Sequence, residues 1–150
     1  MSTGNMSTGN NQAEAFKALV DWLRNALREA EQFTLGYAAE SSAFVRFNHG
    51  KVRQAGQVQQ ASVSFKLIND GRHADLQITL SGEVETDLQR LAEGLQQLRE
   101  TLPLLPPDPY LLLNHNHWQS HNVQDHPLPD TDQAVAEITR AADGLDFGGF

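Results

Sequence analysis

Residues 40–82 read ESSAFVRFNHGKVRQAGQVQQASVSFKLINDGRHADLQITLSG. Two turn signals, Asn48-His49-Gly50 and Asn69-Asp70-Gly71, punctuate runs of alternating apolar and polar residues, the pattern of an antiparallel meander. Ala61, Val63, Phe65 and Leu67 share one face of a strand, and Gln60, Ser62, Ser64 and Lys66 share the other. After the second turn Ala74, Leu76, Ile78 and Leu80 continue the buried face, while His73, Asp75, Gln77 and Thr79 face water. The predicted strands are Phe33–Ala39, Ala43–Asn48, Val52–Val58, Gln59–Ile68 and His73–Leu80, with Gly56 marking a bulge or a turn.

Helical periodicity flanks this block. Phe16, Leu19, Val20, Leu23, Leu27 and Ala30 form an apolar stripe from Ala13 onward, with Trp22 beside it. A second helix is expected from Ser81 as N-cap, with Glu83, Glu85 and Asp87 complementing the helix dipole from an exposed first turn. Its stripe of Val84, Leu88, Leu91, Leu95, Leu98 and Leu102 suits either a coiled-coil seam or, more simply, a helix lying across the sheet. A third helix follows Asp130, with Gln133 completing a capping box and Gly144 at its exit. The expected architecture is α+β, a meander of about four or five strands with two or three helices mainly on one face.

All six prolines lie between residues 103 and 129, so that stretch reads as a crossing segment with one extended element at Tyr110–Leu113. The organisation expected is a disordered 1–12 carrying a duplicated MSTGN, a helix-sheet-helix core over 13–102, the proline- and histidine-rich crossing over 103–129, and a terminal helix over 130–150. The apolar, glycine-rich ending is expected to lead toward a further half of a longer protein.

A chain of 150 residues can bury roughly 70% of its unfolded surface in one domain. It contains no cysteine, which removes disulfides and thiolate chemistry and suits a cytoplasmic protein. Nineteen Asp and Glu against eleven Lys and Arg give a net charge of -8, an unfavourable balance for nucleic acid. No run approaches the ~20 apolar residues of a membrane span.

Chemistry-bearing motifs are sparse. Four of the six histidines, His115, His117, His121 and His126, fall in the crossing segment, and imidazoles in such a run are potential metal ligands. The spacing lacks the helical i, i+4 form of a zinc-protease motif, and Asp125 is the nearest acid suited to general-base work. Adventitious capture therefore outweighs a specific site, with His115, His117 and His121 the residues to watch. No catalytic residue is assigned. Trp22, Leu145, Phe147 and Phe150 are the apolar residues expected to meet a partner.

The ordered words FVRFNHGKVRQAG, a strand, a Gly71-Arg72 turn, LTLSG-like ITLSG before a helix, and Asp108-Pro109-Tyr110-Leu111-Leu112 resemble the amino-terminal domain of TldD/PmbA metallopeptidases, most strongly the TldD-related branch. The likeness runs over residues 33–150. It implies a supporting portion of a zinc peptidase whose HExxxH helix lies in the other half, since no HExxxH occurs here. It also implies assembly with an identical or related subunit around a chamber that admits unfolded peptide. The alternatives are a standalone binding module using a strand edge or the leucine seam, and a histidine-dependent metal-binding protein.

Overall fold

The computed structural model describes residues 5–124 and 126–149, with side chains from residue 11 onward. The element order is α1 (Asn5–Ala26), β1 (Gln32–Asn48), β2 (Lys51–Asn69), β3 (Arg72–Thr79), α2 (Val84–Thr101), a 3-10 turn (Leu102–Leu104) and α3 (Thr131–Ala141). The sheet has three strands in the order β1-β2-β3, which makes the fold α+β with an antiparallel meander. Among the described residues no helix is long and apolar enough to cross a membrane.

Both turns form where the sequence places them. His49 and Gly50 have φ of 49° and 66°, Asp70 and Gly71 have φ of 51° and 68°, and consecutive positive φ values are what a two-residue type I′ hairpin demands. Glycine at the second position avoids the Cβ penalty of that conformation. The Asn69↔Arg72 pair then sets the register, putting Phe65 opposite Leu76 and Val63 opposite Ile78.

The strand count is lower than expected because four predicted strands fuse into two. Glu40-Ser41-Ser42 contains no residue that breaks a ladder, so β1 continues through it. Gly56 has no positive φ and makes no turn. A Cβ there would stand 3.0 Å from the Phe44 ring, so this glycine leaves room for an aromatic side chain within β2. At the amino end α1 is described from Asn5, earlier than the Ala13 expected for its start; residues 1–4 lie outside the described residues. Tyr110–Leu113 forms no strand.

The chain divides into two compact units, one from Met1–Ala39 with Gln60–Leu113 and one from Glu40–Gln59 with Asn114–Phe150. β1 and β2 are each long enough to contribute residues to both units. In the first unit α1 and α2 pack together, and α2 lies against β3. Leu19 and Leu23 from α1, Leu91, Leu95 and Leu98 from α2, and Val63, Phe65, Leu67 and Ile78 from the sheet make the core cluster. The leucine stripe is therefore a helix-on-sheet surface, with Val84 at its amino end 40% exposed.

The start of α2 differs from the expected cap. Glu83 is the N-cap and its side chain makes no capping bond. Asp87 is buried and accepts from the Ser81 N–H at 2.7 Å, the Ser81 hydroxyl at 2.8 Å and the Gly82 N–H at 3.1 Å. It thus ties the incoming loop to the helix from within the first turn, where an exposed dipole partner was expected.

Among the described residues of the second unit Phe47 is the buried hydrophobic one, and α3 buries none of its side chains. Asp130 caps α3 as expected, accepting from the N–H groups of Asp132 and Gln133. Gln133 does not return the bond to the cap; its amide donates to Glu137 at 3.2 Å. The helix ends at Ala141, and Gly144 at φ 77° lies in the turn that follows.

Candidate functional site

The second unit holds the surface with the clearest capacity for interaction. The chain after α3 returns to the β1–β2 turn, where Phe47 N–H donates to the Gly149 carbonyl at 2.9 Å and Gly149 N–H donates to the Phe47 carbonyl at 3.2 Å. This is an antiparallel bridge on the edge of β1 opposite β2. Gly50 N–H adds a bond to the Phe147 carbonyl at 3.0 Å, and the Phe47 and Phe147 rings meet at a centroid distance of 5.3 Å. His49 Nδ1 lies 2.9 and 3.2 Å from the two carboxylate oxygens of Asp146.

Beside this tie an apolar groove of about 860 Å³ is walled by β1 on one side and by Ala134, Val135 and Ile138 of α3 on the other, with Leu128, Pro129 and Phe147 contributing. A volume of this size is typical of ligand clefts. A second, more polar recess of about 600 Å³ lies at the tip of the same hairpin, lined by Arg46, Asn48, Arg53, Gln54 and Gly149.

The first unit carries a similar clasp on its own turn. His73 Nε2 lies 3.1 Å from Asp108 Oδ2, the Asp108 N–H donates to the Gly71 carbonyl at 2.8 Å, and Arg72 Nε donates to the Leu105 carbonyl at 2.8 Å. The Tyr110 N–H and the His73 ring hold the Asp108 carboxyl below its ordinary range. This explains why His73 is half-buried despite facing the strand's expected water side. Ile68, its cross-strand neighbour on that face, is buried outside the core cluster.

The expected partner residues fall in both units. Trp22 is half-buried against the core cluster. Leu145 is 66% exposed, Phe147 is half-buried on Phe47, and Phe150 lies outside the described residues. His115, His117 and His121 are exposed in a stretch with neither helix nor strand, and Asp125 lies outside the described residues. Among the described residues no three His, Asp or Glu side chains converge as a metal-binding group. Nothing in the sequence pattern marked Ser41–Val45 as one wall of a groove, because its other wall lies some ninety residues later in the chain.

No family model, curated protein or solved structure matches the chain.

Proposed function

We propose that this chain is the non-catalytic amino-terminal portion of a TldD/PmbA-type zinc metallopeptidase, acting in the cytoplasm in subunit assembly and in forming the chamber that receives unfolded peptide. The ordered sequence likeness over residues 33–150 supports this reading, and the meander with its leucine-faced helix is compatible with it. The observation that carries an assembly role is the imbalance within the second unit. Among its described residues Phe47 is the buried hydrophobic one, whereas Val123, Leu128, Ile138 and Leu145 are 67%, 85%, 45% and 66% exposed. Apolar surface of this kind is stabilised by a partner.

In this reading the zinc and the water-activating glutamate belong to the HExxxH helix of the other half, and this chain supplies walls and contacts. The test is co-expression with a TldD/PmbA-type subunit that carries HExxxH. Co-elution as a stoichiometric complex, with chelator-sensitive peptidase activity confined to the complex, is the expected outcome. Cleavage by the purified 150-residue chain alone, or a failure to associate at any concentration, overturns the proposal.

A second reading, a standalone binding module, keeps one of its two proposed surfaces. Leu91, Leu95, Leu98 and Leu102 are consumed by the core, which leaves a strand edge as the surface such a module would use.

A further inference from the structure

We propose that the groove between β1 and α3 is a strand-addition site, taking an extended segment of a partner protein that is apolar on alternate residues and basic at its ends. The inference stands on the groove itself, independently of any peptidase assembly. Ser41, Ser42, Ala43, Phe44 and Val45 all line it, while β2 contributes Gln57. Successive strand residues point to opposite faces, so five in a row can line one groove only where it runs along the strand's edge. The edge is that of β1 away from β2, and among the described residues its backbone is bridged only at Phe47.

That bridge fixes which groups the edge offers. Phe47 gives both its N–H and its C=O outward to Gly149, so by alternation Val45, Ala43 and Ser41 also present theirs. An added strand would continue antiparallel from the position Gly149 occupies. The helical wall opposite leaves a channel between strand and helix, which favours one extended segment over the edge of a whole second sheet. Ala134, Val135 and Ile138 then meet the apolar residues of that segment. Among the described residues no charged side chain lines the groove, so the charge of the whole chain, a net -8, sets the long-range field that an approaching segment meets. Electrostatic complementarity therefore selects a basic segment.

The probe is a fluorescent eight-residue peptide of alternating valine and threonine with lysine at each end, followed by anisotropy against the full chain. Two further versions carry N-methyl groups on one or the other alternate set of amides. An added strand uses only every second amide, so one set should weaken binding at least tenfold and the other should not. Ala43→Pro removes an outward N–H without touching the β1–β2 ladder and should abolish binding with an unchanged circular dichroism spectrum. Ile138→Asp, on the exposed face of α3, gives the same readout should the proline variant misfold. Equal effects of the two methylated sets, no binding of the parent peptide, or retained binding in both protein variants refute the site. A chain that dimerises through this edge, becomes monomeric on Ala43→Pro and ignores the peptide makes a second copy the occupant and also refutes it.

Discussion

Glu31 and Arg99 make a buried polar contact within the first unit. Arg99 Nε and Nη2 donate to the Glu31 carboxylate at 2.8 and 2.6 Å, Nη2 also reaches the Ala26 carbonyl at 2.9 Å, and the Arg28 N–H donates to the same carboxylate at 2.9 Å. The Glu31 side chain is 3% exposed, so the pair closes the junction of α1, β1 and α2 with its lone pairs satisfied. Removing one partner leaves a buried charge: Arg99→Met should cost about 3–5 kcal/mol in denaturant unfolding, whereas Arg99→Met with Glu31→Leu should recover most of that loss. The Arg99 hydrogen bonds hold the Glu31 carboxyl below its ordinary range despite burial. A carboxyl depressed on folding contributes stability that is present above its unfolded value and lost as pH falls through its folded value. The unfolding midpoint should thus stay level from neutral pH to about pH 5 and decline below about pH 4.5. Glu31→Gln should remove part of that decline, and an unchanged acid slope in this variant would refute the assignment. The Glu31–Arg99 pair was not legible in the sequence, because sixty-eight positions separate its members and neither lies in a motif.

Between the sheet and α2 the fit is tight enough to be tested by volume. Phe65 is fully buried in the cluster that contains Leu91 and Leu95. Phe65→Ala removes both transfer energy and packing, and should cost about 3–5 kcal/mol of unfolding free energy. Gly94 makes the complementary case, since a Cβ there would lie 3.2 Å from Ile78 Cδ1 and 3.3 Å from Leu76 Cδ1. Gly94→Val should destabilise by about 1–3 kcal/mol through overpacking, although helix propensity alone argues the other way. Thermal melts of the two variants check both signs, and a Gly94→Val chain more stable than the parent would show that the helix has room to withdraw. The sheet's buried face and the leucine stripe were readable because periods of 2 and 3.6 are local properties of the chain. The number of strands was not, since polar Glu40-Ser41-Ser42 and Gly56 look like interruptions until a neighbouring strand supplies their hydrogen bonds.

Taken whole, the molecule combines a well-packed first unit with a second unit whose apolar residues outnumber its burial. Self-association that rises with concentration is the expected result in sedimentation, weakening in Leu145→Ser and weakening further when Phe147→Ser is added. A clean monomer at high concentration would refute this. His115→Ala with His117→Ala should leave stability within ~0.5 kcal/mol of the parent, as for surface substitutions generally, and zinc should not raise the melting temperature. By itself the sequence determined the α+β class, the positions of both hairpin turns, the face of the sheet that is buried, the helix that covers it and the Asp130 cap. Each of these depends on side-chain period or on backbone preferences spanning a few residues. Only the tertiary structure decided that two long strands serve two units, that Asp87 locks the entry to α2, that Glu31 meets Arg99, and that the edge of β1 faces α3 across an open groove. Those features depend on which distant segments come to share a surface, and a contact across such a distance leaves no mark on the local pattern of either segment.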